Sequence, residues 1–402
     1  MNLTVSHEWA DRAAAVTPGS SQTLSKGPAA FPGEYPRFLR KGHGSRVQDV
    51  DGNLYTDWIC GLGAQGLGYN DYRVLKPVLD LLESEAGGSF SLPTLLEVEV
   101  AESLTNLIPC AQMVRFTKTG SEACAGAVRL ARDYTKRDVI AVCGYHGWHD
   151  WYAASLERHP GVPAALEPLV RRFEYNDYAS ANRAIDVDCA AVIMEPVLHE
   201  QPAPDFLERV ADFALVSGAL LIFDENVTGF RADLRGAQHL YGITPDLAVF
   251  GKAMSNGFPL AAIMGRREIM QHAEYISGTF GGDTVSLAAA KATIQVYATT
   301  GCLPRMHLVG MEVLTQLRSV LSPDFTVDGL PWKPRIVAAT DRLAGLVTGL
   351  ARRGHLIHPR GFYVSCAHTE ADVTALVTAA DEAQYDPTDH VIPPTGVSWL
   401  RA

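Results

Sequence analysis

The chain has no Cys-x-x-Cys pair, no surplus of positive charge and no apolar run long enough to cross a bilayer. Its seven cysteines (Cys60, Cys110, Cys124, Cys143, Cys189, Cys302 and Cys366) are scattered and odd in number. That argues against a disulfide framework or a structural zinc site, and for a reducing compartment. Lys and Arg total 34 against 45 Asp and Glu, a net charge of −11. An acidic chain is a poor match for nucleic acid or an anionic membrane as its main partner, although a local cationic pocket for phosphate stays open. The longest apolar-leaning stretch, Phe213 to Phe223, is about half of what a bilayer demands. The opening residues, MNLTVSHEWADR, carry charge early and lack the apolar centre of a secretory signal. The expectation is a soluble cytoplasmic protein. What is present is ordinary globular composition, with 47% hydrophobic and 20% charged residues, in a chain of 402 residues. That length suits two or three domains and a core that needs no metal or disulfide.

Residues 1–35 are polar and rich in Pro, Gly and Ser, and read as a surface arm. Asp51-Gly52 between two alternating runs signals a β-hairpin. Helical spacing follows from Asn70 or Asp71 through Leu82, and again after Pro93. Short apolar runs then alternate with helices. The strand candidates are 113–116, 139–142, 190–194, 219–223 and 247–250, with helices such as 121–134 and 204–217 between them. Strands buried on both faces and joined by helices imply an α/β domain with a mainly parallel sheet. After about residue 300 come helices over 306–321 and 341–353, a short strand pair near Leu356 and Phe362, and a last helix from about Glu370. This tail reads as a smaller α+β domain. The division is 1–70 (arm and hairpin, joining the small domain), 71–300 (large domain) and 301–402 (C-terminal small domain).

Gly61-Leu-Gly-Ala-Gln-Gly66 fits G-x-G-x-x-G, but its strand belongs to a hairpin and the next helix cap is four residues too late. It is a poor dinucleotide fingerprint. Four other features sit at strand ends. Thr119-Gly120-Ser121-Glu122 opens a helix and can cradle an anion, although alone it reads as a helix cap. Gly144-Tyr145-His146-Gly147 puts an aromatic where a flat ring can stack; His146 and His149 make a weak zinc pair, and no metal is expected. Asp224 ends an apolar strand, in the crevice where open α/β sheets bind ligands, and its carboxylate favours a nearby cation. Lys252 also follows an apolar strand; a desolvated amine there is suited to a Schiff base, whereas alone it reads as a snorkelling surface residue. Together these are the parts that hold the phosphate, ring face, ring nitrogen and aldehyde of pyridoxal 5′-phosphate.

The sequence resembles class III (subgroup II) pyridoxal-phosphate-dependent aminotransferases of fold type I, and most closely the glutamate-1-semialdehyde 2,1-aminomutase-like branch. The resemblance runs from about Pro36 to the last helix. It is carried by Asp49-Val-Asp-Gly-Asn53, Thr119-Gly-Ser-Glu-Ala123, Gly144-Tyr-His-Gly147, Met194-Glu-Pro-Val197, Asp224-Glu-x-x-Thr-Gly-Phe-Arg231, Pro245-Asp-Leu, Gly251-Lys252, Gly278-Thr-Phe280 and Ala367-His-Thr369. It implies a large domain with a mainly parallel seven-stranded sheet flanked by helices, and a small α+β domain from both chain ends. It makes Lys252 the Schiff-base lysine and proton carrier, and Asp224 the partner of the ring nitrogen. Gly120 and Ser121 would bind the phosphate, with Glu122 beside them. Tyr145 would stack on the ring with His146 next to it, and Glu195 would border the ring-side network. Thr279 would reach the phosphate in the neighbouring subunit of a homodimer.

Two departures stand out. Where the family usually has an aliphatic residue under the ring, this chain has Asn226, an amide able to hydrogen-bond cofactor or substrate. The segment Ser255-Asn-Gly-Phe-Pro259 replaces a Gly-rich version that goes with a gating loop in the aminomutases. The chain also looks shortened near 320–335. The expected activity is transfer of an amino group from a donor such as glutamate to a small carbonyl acceptor (semialdehyde, keto-sugar or related ketone). Substrate candidates are Arg37, Trp58, Leu62, Gln65, His199 and Glu200, the last as a switch carboxylate. The alternatives are an intramolecular aminomutase and a non-catalytic cofactor-binding dimer.

Overall fold

The computed structural model describes residues 1–385, so the end of the expected C-terminal domain, 386–402, lies outside the described residues. The chain forms two compact units, one of Tyr72–Thr300 and one joining Met1–Asp71 to the segment from Gly301. Among the described residues no helix is long and apolar enough to cross a membrane.

The larger unit is built on a seven-stranded sheet. Its spatial order is Met113–Thr117, Ala261–Gly265, Leu247–Phe250, Leu220–Asp224, Cys189–Met194, Val139–Cys143 and Val170–Arg172. Only Ala261–Gly265 runs against its neighbours. The strands Cys189–Met194, Leu220–Asp224 and Leu247–Phe250 are buried at every position. This explains their unbroken apolar sequence, since helices cover both faces. Gly120–Thr135 packs its Ala123, Ala127, Leu130 and Ala131 face against Ile193, Ile222, Val249 and Ile263. On the opposite face Phe206–Ser217 lays Phe206, Val210 and Ala214 against Val192, Leu221 and Phe223.

Three elements of this unit were invisible to periodicity. Ala261–Gly265 reads Ala-Ala-Ile-Met-Gly, with little β-branching, and is a strand because burial between two neighbours overrides propensity. Val170–Arg172 is a three-residue edge strand, too short to show a pattern. The helix Thr284–Thr300 is buried on most sides, so it lacks the apolar stripe of a surface helix.

The smaller unit corrects the reading of its ends. The expected arm contains a helix, Thr4–Val16. The hairpin-turn carboxylate of Asp51 accepts from the N–H groups of Val5 (2.6 Å) and Ser6 (2.9 Å), which answers the unpaired donors and positive end of that helix. The hairpin itself pairs Val47 with Tyr55 and Gln48 with Leu54. The expected strand pair near Leu356 and Phe362 does not form. His355–Leu356 instead pairs parallel with Leu54–Asp57, and the N–H of Phe362 goes to Pro334 O. A second hairpin, Thr326–Leu330 with Lys333–Val337, fills the segment that sequence left undefined. Cys60, Gly61 and Leu62 are all left-handed, with φ of 51°, 58° and 61°, so the G-x-G-x-x-G stretch is a tight turn and not a strand-to-helix phosphate loop.

Two histidines in this unit are buried as neutral rings. His355 and His358 are pushed down to about 4, first by burial and then by the guanidinium of Arg46 and Arg360 respectively. The geometry agrees. His355 Nδ1 accepts from Trp58 Nε1 (3.3 Å), and His358 Nδ1 accepts from the N–H of Arg360 (3.1 Å). An unfolded chain takes up these protons near pH ~6.5. Each histidine's stability contribution is therefore complete above that pH and is lost as pH falls towards about 4. The loss is expected to reach roughly 2–3 kcal/mol per histidine. Urea unfolding at about pH 7.5 and about pH 5 checks this. The midpoint should fall with pH, and the pair His355→Gln, His358→Gln should flatten the fall; a pH-independent wild-type midpoint would refute it.

Candidate active site

Every strong candidate of the larger unit lies at or just beyond the C-terminal end of a strand other than the reversed one. Asp224 is the last residue of Leu220–Asp224, and Glu195 follows Cys189–Met194 directly. Tyr145 and His146 follow Val139–Cys143, Gly120 and Ser121 follow Met113–Thr117, and Lys252 follows Leu247–Phe250. This is the edge at which open α/β sheets collect ligands.

Asp224 is the centre of the set. It is only 3% exposed, and a carboxylate taken from water needs donors on both oxygens. Oδ2 accepts from His146 Nδ1 (2.8 Å) and Cys124 Sγ (3.3 Å). Oδ1 accepts from Asn226 Nδ2 (2.7 Å) and Asn226 N (3.1 Å). Burial works to raise its pKa. The hydrogen bond and charge of His146, the charge of Lys252 and the N–H of Asn226 overcome that and hold it below the usual carboxylate range. His146 Nε2 lies 3.1 Å from Cys143 O, which can only accept, so Nε2 carries a hydrogen. Cys124, His146 and Asp224 offer metal-ligand atoms within 4.8 Å of one another, but these atoms already face each other as donors and acceptor.

The anion cradle is a helix start. Thr119 Oγ1 accepts from Glu122 N (3.2 Å), while Glu122 Oε2 accepts from the N–H of Lys118 (2.8 Å) and of Thr119 (2.9 Å). Glu122 therefore acts as the carboxylate of a capping box. The first-turn N–H groups of Gly120 and Ser121 have no partner within a helix. The Gly144–Gly147 loop closes on this start. A Cβ at Gly147 would lie 2.2 Å from Ser121 Oγ, and the residue's φ is +101°. Glu195, 8% exposed, accepts from the N–H of Tyr145 at 2.9 Å. The Tyr145 ring is 64% exposed and meets Tyr152 edge-on at 5.7 Å. Lys252 is half-buried, at a left-handed φ of 44°. Thr279 is exposed, in a loop whose far end is tied by the Lys118–Asp283 ion pair (2.5 Å). His199 is half-buried and Glu200 exposed, both in the stretch beyond Glu195.

The other substrate candidates, Arg37, Trp58, Leu62 and Gln65, belong to the smaller unit. The Arg37 guanidinium donates to three carbonyls, of Pro28, Pro32 and Gly33, and so ties its own segment together. Trp58 is fully buried and stacks on His368 at 4.0 Å. Leu62 belongs to the left-handed turn and Gln65 follows it, both half-buried. Sequence reasoning missed Cys124. Its signal was its place four residues after Gly120 on the same helix, which brings it onto the face that carries the cradle.

The class of protein follows from the comparisons. The family model for class-III aminotransferases matches residues 30–338, and the chain belongs to that family. A 3-aminobutyryl-CoA aminotransferase of Cloacimonas acidaminovorans (strain Evry) is 35% identical over 399 residues, covering 93% of this chain and 95% of that one. A glutamate-1-semialdehyde 2,1-aminomutase of Brevibacillus brevis is 34% identical over 395 residues, covering 87% and 91%. Among solved structures, an omega-transaminase from Sphaerobacter thermophilus superposes with a TM-score of 0.87 at 27% identity, covering 95% of this chain and 97% of that one.

The contact of Gly147 with Ser121 can be separated from backbone strain. Gly161 also has a positive φ, +85°, but has nothing within 4 Å of a Cβ. Gly161→Ala should therefore show the left-handed penalty alone, about 1–2 kcal/mol. Gly147→Ala should add roughly 1–3 kcal/mol of overpacking to that. Urea unfolding of the two variants checks this, and equal losses would refute the close packing of the loop on the cradle.

Proposed function

We propose that the protein is a pyridoxal-phosphate-dependent aminotransferase. It takes an amino group from an amino-acid donor, such as glutamate, passes it to a small carbonyl acceptor (a semialdehyde, a keto-sugar or a related ketone), and releases the first product. One observation carries the reading: the buried carboxylate of Asp224 and the strand-end amine of Lys252 stand at the same edge of adjacent parallel strands. The donor set suits the cofactor. A charged carboxylate, held below its usual range, matches a protonated ring nitrogen, and a helix start with a hydroxyl matches a phosphate.

Pyridoxal phosphate, when bound, supplies an aldehyde that joins amines and a ring that spreads the charge of a deprotonated carbon. Lys252 Nζ would hold the aldehyde at rest. Displaced by the donor's amine, the same Nζ would act as the base that takes the donor Cα proton and as the acid that gives it back on the far side of the linking nitrogen. Asp224 would keep its negative charge beside the ring nitrogen, with His146 fixing its direction. The N–H groups of Gly120 and Ser121 and the Ser121 hydroxyl would hold the phosphate. Tyr145 would cover one ring face and Glu195 would hold the loop that carries it. Thr279, exposed on its loop, would complete the phosphate site of a second copy of the chain, so the working unit is a homodimer.

Relatives at similar identity include both aminotransferases and aminomutases. The turn after Lys252 favours net transfer. Ser255 is fully buried, its hydroxyl donates to Phe258 O at 2.5 Å, and the N–H of Phe258 returns to Ser255 O at 3.2 Å. A closed turn of this kind is ill-suited to act as a mobile gate that retains an intermediate.

Borohydride reduction of the cofactor-loaded protein, followed by peptide mapping, should place the label on Lys252. Lys252→Ala should lose the label and at least about 10²–10⁴-fold in turnover. Amino donors should bleach the bound cofactor's absorbance and a carbonyl acceptor should restore it. Label elsewhere, or none, would overturn the reading; turnover of a single substrate without an acceptor would select the aminomutase.

A further inference from the structure

Asn226 stands where the resemblance drawn from the sequence leads one to expect an aliphatic residue under the cofactor ring. Its side chain is 7% exposed and is wedged between two glycines. A Cβ at Gly120 would lie 2.5–2.7 Å from its amide atoms, and a Cβ at Gly251 would lie 2.4 Å from its Oδ1. Gly120 begins the anion cradle and Gly251 precedes Lys252, so the bare backbone on both sides leaves the room that this amide fills. The orientation of the amide follows from chemistry. The atom 2.7 Å from the Asp224 carboxylate has to be the nitrogen, since an oxygen there would face an oxygen.

Oδ2 of Asp224 already has the imidazole of His146 and the weakly donating thiol of Cys124. With an aliphatic residue at 226, Oδ1 would keep only the backbone N–H at 3.1 Å. The amide supplies the short bond on that oxygen. Hydrogen bonds to the charged form of a carboxylate favour that form. For a carboxylate facing a pyridine nitrogen, this decides where the shared proton rests: a stabilised anion leaves it on the ring.

We propose that Asn226 is a positioning residue for Asp224. Locked between Gly120 and Gly251, its amide keeps the Asp224 carboxylate ionised and so keeps the pyridine nitrogen of the cofactor protonated; the amide serves the carboxylate and is not a contact to substrate. The proposal rests on the reading of Asp224 as the ring-nitrogen partner. It accounts for a polar residue in a position where packing against a ring would call for an apolar one.

The test uses the full chain loaded with pyridoxal phosphate labelled with 15N in the ring, in wild type, Asn226→Val and Asn226→Ala. The ring-nitrogen resonance is read by NMR at neutral pH. At that pH the ring and Asp224 share one proton, so wild type should sit at the pyridinium position and both variants should be displaced towards the neutral position. Asn226→Ala asks nothing of the space between the glycines, so it keeps the test open if Asn226→Val does not fold. Coincident resonance positions, with the cofactor bound to Lys252 in all three proteins, would overturn the role of Asn226 alone. Failure of wild type to take up the cofactor would overturn the proposed function and this inference together.

Discussion

A carboxylate buried at the end of a central strand is the constraint around which the site is arranged. Moving the charge of Asp224 out of water costs several kcal/mol unless donors replace the lost hydration. The sheet brings the donors in. Val139–Cys143 lies one strand beyond the neighbour of Leu220–Asp224, and its following loop swings His146 back over to Oδ2. The helix from Gly120 crosses the sheet and brings Cys124 to the same oxygen. The tight turn after Asp224 folds Asn226 back onto Oδ1. Each donor is fixed in turn. His146 Nε2 is bound to Cys143 O, the Tyr152 hydroxyl donates to Gly144 O at 2.9 Å, and the N–H of Tyr145 is held by Glu195. A side chain directed at any other angle would leave a buried charge unmet, so the loop geometry and the carboxylate are determined together.

The same constraint explains what sequence could and could not show. Lys252 and Asp224 were legible because each is a charged residue at the end of a run that is otherwise wholly apolar, a pattern with few structural uses. The cradle was legible as a strand-to-helix junction, but the role of Glu122 was not. A Glu three residues after Thr119 fits both a ligand and a capping box, and the bonds to the N–H groups of Lys118 and Thr119 show that it makes the cap. Asn226 was legible as an anomaly, while its partner was not, because an amide two residues from a carboxylate can point to either face of the turn. Cys124 was hidden among the small residues of a helix whose alanines serve packing. In the fold, parallel strands with unbroken apolar runs were plain. Ala261–Gly265 was not, since its composition favours no particular element and only its two neighbours make it a strand. The N-terminal helix was masked by the Pro and Gly that follow it, and its cap comes from Asp51, far along the chain.

The cofactor set says little about which amine and which carbonyl react, and the reason is physical. A ring nitrogen, a phosphate and an aldehyde are the same in every member of the family, so the residues that meet them have no cause to vary with substrate. Aminotransferases and aminomutases of similar identity to this chain both occur among its relatives. What separates them lies outside the residues that meet the cofactor. Here the wall after Lys252 is a closed, hydrogen-bonded turn with Ser255 and Asn256 buried. Beside it the Asn226 amide donates to the Asp224 carboxylate. A protonated ring accepts charge more fully, and a fixed turn is a poor gate for retaining the first product. On the proposed reading, that fixed turn favours two separate half-reactions on two molecules.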